Sequence, residues 1–254
     1  MNKSIDRVLE VRSLEKKYGD KDVLNGMEFS VAAGEILGFI GPNGAGKSTT
    51  IRLITGIEAA DKGKILFHGT EQQKCEKEMQ QSLGIVPQEI ALYNDLSAEQ
   101  NVSFFCSLYG YRAKERKERI QEALEFVGLW EQRKEKPAKF SGGMKRRLNI
   151  ACSIAHSPEL LIMDEPTVGI DPQSRNHIIS AIKELNRRGT TVIYISHYME
   201  EIDALCNRLV IADKGLVIVD CEKDTLKRQY QLQGIDTLED IFLEITGNDL
   251  RDEE

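Results

Sequence analysis

The run Gly41-Pro42-Asn43-Gly44-Ala45-Gly46-Lys47-Ser48-Thr49 places glycines, a lysine and hydroxyls at the spacing G-x-x-x-x-G-K-[ST]. Gly44 and Gly46 let the backbone curl so that several N–H groups point inward at phosphate oxygens, just ahead of a predicted helix whose N-terminus carries partial positive charge. Lys47 adds a full charge for the β and γ phosphates of a nucleotide, and the Ser48 hydroxyl is placed to hold Mg²⁺. A second site stands at Leu160 to Pro166, where four apolar residues read as a buried strand that ends in Asp164 and Glu165. Adjacent carboxylates on such a strand are costly without a compensating cation, and successive side chains point opposite ways, so the two acids have different jobs. Asp164 is assigned to the Mg²⁺ shell and Glu165 to the attacking water as general base. Alone, the pair reads equally as a solvated turn; the phosphate loop upstream favours chemistry.

The segment Phe140 to Leu148, FSGGMKRRL, adds a second anion cradle. Ser141 is placed to cap the following helix, and Gly142 and Gly143 expose its first N–H groups. Lys145, Arg146 and Arg147 fall in the first turns, where the helix dipole disfavours cations, a placement that a nearby phosphate explains. In isolation the same residues make an ordinary Ser-capped helix. Four further residues each carry two readings: Tyr18 as a strand aromatic or a stacking ring, Gln88 as a turn residue or a site glutamine, Asp171 as a helix N-cap before Pro172 or a site acid, and His197 as a loop histidine or a catalytic one.

Taken in order and spacing, these segments resemble the ATPase subunits of ABC transporters, over roughly Val8 to Glu222. The resemblance implies that FSGGMKRRL is the family signature, that Tyr18 stacks on adenine, that Gln88 is the loop glutamine, a catalytic and metal-binding residue that with the helical lobe senses the permease, that Asp171 follows the paired acids in their loop, and that His197 contacts the γ phosphate. It also implies that two ATPase domains face each other head to tail, with each ATP held between the phosphate loop of one and Ser141, Gly142 and Gly143 of the other. Phe140, Met144 and the run Val168-Gly169-Ile170-Asp171 depart from the commoner family pattern. SGGMKRR and the tail Thr237 to Gly247 look like the drug- and antibiotic-export subgroup, whose ATPases serve a separate ABC-2 type membrane permease. An importer subunit shares the same catalytic motifs, and a non-transport relative acting on ribosome or DNA is the more distant alternative. No N-K-x-D run argues for a GTPase.

Those residues need a frame. Runs between Val8 and Gly41 read as an antiparallel β pair or meander feeding a strand at Glu35 to Ile40, followed by a helix from about Lys47 to Gly56. Further strands are predicted at Lys64 to His68, Leu83 to Pro87, Leu160 to Met163 and Thr191 to Ser196, with helices between them, so the fold class is α/β with a mainly parallel, covered sheet. In the terms of the resemblance this is a P-loop NTPase, with a RecA-like core, an antiparallel β subdomain and an inserted α-helical lobe. The lobe spans about 89–157, where Ile120, Ala123, Leu124 and Val127 share a helical stripe, while RAKERKERIQE alternates its charges like a solvated face. The ATPase domain is expected over 1–222, with its core at 1–88 and 158–222. After His197 a helix leads to a hairpin turning at Asp213 to Gly215, and 223–254 is a short helical tail with RDEE frayed at its end.

Composition fits this frame. The 254 residues are 41% hydrophobic and 30% charged, enough for a substantial core. A net charge of -7 argues against a nucleic-acid partner. Five scattered cysteines form no zinc or disulfide pattern and fit a reducing cytoplasm. No apolar run reaches the roughly 20 residues of a membrane span, and MNKSIDRVLE is not a signal peptide, so the expected location is the inner face of the cell membrane, reached through the permease.

Overall fold

The computed structural model describes residues 6–247. The expected fraying of RDEE and the reading of the first five residues lie outside this range. The chain groups into two compact units, one formed by residues up to Gln80 together with those from Ile193 onward, the other by Gln81–Val192.

In the first unit, β1 (Arg7–Tyr18) and β2 (Lys21–Ala32) form a long antiparallel pair, and β4 (Lys62–Phe67) and β5 (Thr70–Glu71) extend it in the order β2-β1-β4-β5. Alternating apolar residues put Val8, Leu14, Leu24, Met27 and Val31 into the core. β3 (Ile36–Ile40), buried along its whole length, feeds the phosphate loop and α1 (Lys47–Ile54). It pairs in parallel with β9 (Arg208–Asp213), and β9 returns antiparallel as β10 (Leu216–Glu222). Lys214 and Gly215 both adopt left-handed backbone, which lets two residues reverse the chain between Asp213 and Leu216. The tail forms two helices, α8 (Lys223–Gln231) and α9 (Leu238–Thr246), the second capped by Thr237 and packed on α7 (Met199–Leu205).

In the second unit, β6 (Leu83–Val86) pairs in parallel with β7 (Leu160–Asp164). Three helices pack on one another: α3 (Ala98–Ser107), begun by a Ser97/Gln100 capping box, α4 (Ala113–Phe126) and α5 (Gly142–Ile154). The stripe Ile120, Ala123, Leu124 and Val127 is buried, and the charged residues of α4 face outward. α6 (Pro172–Arg187) packs on α5. α2 (Gln72–Ser82) and β8 (Thr191–Ile195) lie where the chain passes from one unit to the other. The strands predicted to end at His68, Pro87 and Ser196 each end one residue early, and the one predicted to end at Met163 runs one residue further to Asp164; His68 turns left-handed after β4, and Pro87, which has no N–H for a ladder, follows β6.

Candidate functional site

The phosphate loop is built by close packing from below. A Cβ on Gly41 would stand 2.3 Å from the Ala212 carbonyl oxygen of β9, and one on Gly46, at φ 96°, would stand 2.5 Å from Leu24. Gly215 in the β9–β10 turn donates to the Ala45 carbonyl at 3.2 Å, so a hairpin remote in sequence braces the loop. Lys47 curls back, its Nζ donating to the carbonyls of Gly41 at 2.7 Å and Pro42 at 3.0 Å, which fixes its charge at the loop's mouth. The first turn of α1 has no capping side chain and no acid, so its N–H groups and dipole are offered to an anion. Asn43, Gly44 and Ser48 are exposed there, with Pro42 and Thr49 half-buried.

Tyr18 ends β1 with 42% of its surface exposed. Its hydroxyl bonds Glu58, which Arg52 also holds at 3.1 Å, and the Lys16 ammonium lies 5.6 Å from the ring centroid. A tethered, accessible ring is suited to stacking. His197, in the same unit, is exposed in the short segment between β8 and α7.

The second unit gathers the paired acids, Gln88 and the signature. Asp164 closes β7 half-buried, and Glu165, 8% exposed, turns the chain at φ 46°. Gln88 Nε2 donates to Glu165 Oε2 at 3.3 Å. Sixteen-residue α6 is capped by Asp171, whose carboxylate accepts the Ser174 N–H at 2.9 Å, with Pro172 in the first position. That backbone bond, with smaller help from the Ser174 hydroxyl, holds the Asp171 carboxyl below its ordinary range. Ser141 caps α5 by accepting from Met144 N at 3.2 Å. Gly143 is jammed, since its Cβ would meet Ser174 Oγ at 2.4 Å, whereas Gly142 is exposed with open space around it.

The signature's arginines do not do what the helix-dipole argument suggested. Arg146 is buried, 4% exposed, and donates to the carbonyls of Pro87 at 2.9 Å and Gln88 at 2.7 Å. Burial pulls its pKa down, while the nearby charges of Asp164 and Glu165 oppose that shift. Arg147 donates to the Val127 carbonyl at 2.9 Å, just past the end of α4, where carbonyls lack helical partners. The sequence offers two readings of these cations, a nearby phosphate or an ordinary exposed helix face, and their partners lie in distant segments; nothing local marks Arg146 as the strut that ties the signature helix to the Gln88 loop. Gly215 was equally invisible in its bracing role.

Among the described residues no cluster of three or more His, Cys, Asp or Glu is arranged to hold a metal alone. The Ser48 hydroxyl in the first unit and, in the second, the Gln88 amide and the Asp164 carboxylate are each oxygen donors of the kind a hard cation such as Mg²⁺ takes.

Residues 24–168 match the family profile described as ABC transporter. The linearmycin resistance ATP-binding protein LnrL of Bacillus subtilis is 53% identical over 211 residues, covering 83% of this chain and 68% of the relative. Nod factor export ATP-binding protein I of Burkholderia orbicola is 38% identical over 212 residues, covering 84% and 70%. A solved structure, the ATP-binding subunit of an ABC transporter, superposes with a TM-score of 0.84 at 30% identity, covering 94% of this chain and 99% of that one.

Proposed function

Since the chain belongs to the ABC transporter family, as its ATP-binding and hydrolysing subunit, we propose that it powers export of an amphipathic, antibiotic-like or lipid-like compound through a separate ABC-2 type permease. The relatives named for linearmycin resistance and Nod factor export support the direction of transport. Exposed apolar side chains on the second unit, Ile90, Leu108 and the edge-to-face pair Tyr93 and Phe104, offer the permease a docking face that begins next in sequence to Gln88. Asn101, fully buried, exchanges hydrogen bonds with both the N–H and the carbonyl of Tyr93, at 2.8 and 3.0 Å, so Tyr93 is held firm. No helix among the described residues is long and apolar enough to cross a membrane. A peripheral place on the inner membrane face through the permease follows from the proposal.

The observation that carries the hydrolytic scheme is the open surface at Gly142. Among the described residues no atom lies within 4 Å of a Cβ at this position and its φ is not left-handed, so we assign the requirement for glycine to a nucleotide brought by a second copy or a similar chain. The phosphate loop of one protomer, with Lys47 on the phosphates and Tyr18 on the base, is then completed by Ser141, Gly142 and Gly143 of its neighbour, with Asp171 alongside. Glu165 takes the proton of the attacking water, Gln88 orients Glu165 through the bond already in place, and His197 contacts the γ phosphate. Ser48, Asp164 and Gln88 are the residues that would hold Mg²⁺, which would supply positive charge against the phosphate oxygens.

Glu165→Gln tests the scheme. Turnover is expected to fall by about 10²- to 10⁴-fold, with ATP binding kept and an ATP-dependent dimer accumulating in sedimentation velocity. Turnover near wild type removes Glu165 as the base. Co-purification of a polytopic permease lacking its own ATPase is the expected partner result, and a ribosomal or DNA partner in its place overturns the export reading.

A further inference from the structure

We propose that Glu201 is a positioning residue for hydrolysis, whose buried carboxylate fixes the backbone on both sides of His197. This deepens the reading of His197 as the γ-phosphate contact and rests on it. β8 ends at Ile195 and α7 begins at Met199, so His197 sits in a three-residue connection between strand and helix. Glu201, in the first turn of α7, is 2% exposed. Its Oε2 accepts from the Tyr194 hydroxyl at 2.7 Å and from Ser196 Oγ at 3.0 Å. Ser196 Oγ in turn accepts the Tyr198 N–H at 3.0 Å. The chain of bonds therefore runs from the fully buried Tyr194 ring, through one carboxylate oxygen, to the residues immediately before and after the histidine.

The direction of each bond is forced. Both hydroxyls donate to the one carboxyl oxygen, and Ser196, its single proton committed, has only lone pairs left for the Tyr198 N–H. The linked bonds hold the turn at both ends. Packing alone does not call for an acid here. Met199, Ile202 and Leu205 already seat α7 in the core, and an apolar side chain at 201 would fill the place without the cost of burying a carboxylate. What an apolar group cannot supply is an acceptor for two hydroxyls, and hence a fixed course for the segment that carries His197. The imidazole itself is left exposed and directed by that backbone.

The test is steady-state ATP hydrolysis by the full chain with Mg²⁺, for Glu201→Leu, Glu201→Gln, His197→Ala and the Glu201→Leu/His197→Ala pair. Displacing a catalytic group by about an ångström costs up to about a hundredfold, so Glu201→Leu should lose between about tenfold and a hundredfold in kcat with KM for ATP little changed. Glu201→Gln should recover most of that, because one amide oxygen can accept both hydroxyls. The double variant should turn over no more slowly than His197→Ala alone. Unchanged kcat in Glu201→Leu, or losses that multiply in the double variant, overturn the proposal. Should Glu201→Leu fail to fold by far-UV circular dichroism, Ser196→Ala carries the same expectations and the same refutation. A wild-type rate in His197→Ala instead brings down the reading of His197, and the role of Glu201 with it.

Discussion

The turn before α1 and the turn before α5 both lead glycines into a helix N-terminus, yet they are built on opposite principles. The first has no capping side chain, and its conformation is imposed by the chain itself, through Gly41 against Ala212, Gly46 against Leu24, and Gly215 bracing Ala45. The second is capped by its own Ser141, has one glycine jammed against Ser174 and leaves the other, Gly142, facing open space. Gly44, also exposed with open space around it, is required by its left-handed backbone at φ 75°, so every glycine of the first turn answers to the chain itself, as in a finished anion site. A turn with an unexplained, exposed glycine presents half of one.

The widest separation between the two turns is expected from alanine at their first glycines. Gly41→Ala forces a methyl to 2.3 Å from a backbone oxygen that has no room to yield, so the loop must shift. Nucleotide affinity of the chain should fall by at least about a hundredfold, since a displaced nest loses several charge-assisted bonds together. Gly142→Ala meets no atom within 4 Å. It should leave the melting temperature and the ATP affinity of the lone chain unchanged, yet lower turnover by about tenfold or more by blocking close approach of a neighbour's phosphates. Equilibrium binding of a fluorescent ATP analogue together with hydrolysis rates separates the two. If Gly142→Ala hydrolyses ATP at the wild-type rate, the comparison loses its meaning.

Within the signature the contrast recurs on a smaller scale. Gly143→Ala would press its methyl to 2.4 Å from Ser174 Oγ and 2.8 Å from Ser174 Cβ at the start of α6. Overpacking of this kind costs about 1–3 kcal/mol, so Gly143→Ala should lower stability in urea titration where Gly142→Ala does not. Equal stability of the two variants would mean that α5 and α6 slide apart more easily than their caps suggest.

The same two turns show what a sequence can and cannot disclose. The phosphate loop was legible because its chemistry is local: nine consecutive residues contain the nest, the lysine and the hydroxyl. The caps at Ser141 and Asp171 were legible for the same reason, as was the buried stripe of α4 from its spacing. The role of Arg146 was not legible because the rule available, a cation disfavoured at a helix N-terminus, is local, while its actual partners are carbonyls some 58 and 59 residues away in sequence. Glu201 gave no signal, since a glutamate in the first turn of a helix is ordinary and only the fold puts Tyr194 and Ser196 over it. The left-handed turn at Glu165 was hidden too, because a glutamate rarely adopts it and no sequence rule predicts the exception.

Acid should widen the difference between the units. His156 follows α5 in the second unit, stacked on Tyr109 at 3.8 Å, and its Nε2 reaches the Leu83 carbonyl at 3.1 Å. Only a protonated Nε2 can serve that carbonyl, so in the neutral ring Nδ1 is the bare nitrogen, and it is buried with no hydrogen-bond partner. Burial holds the His156 pKa down at about 4, and Arg119 adds to the effect. The unfolded chain takes up the proton near pH 6.5 and the folded chain resists it, so stability is at its full value above pH 6.5 and drains away as the pH falls toward 4. Between pH 7.5 and 5.5 the loss is on the order of 1 kcal/mol. Amide exchange in β6 and α5 should therefore quicken at pH 5.5 ahead of β3 and α1, and His156→Gln, which keeps a donor for Leu83, should flatten the pH dependence. Equal acceleration in both units would show that they open as one, and that the signature's base is no softer than the phosphate loop's.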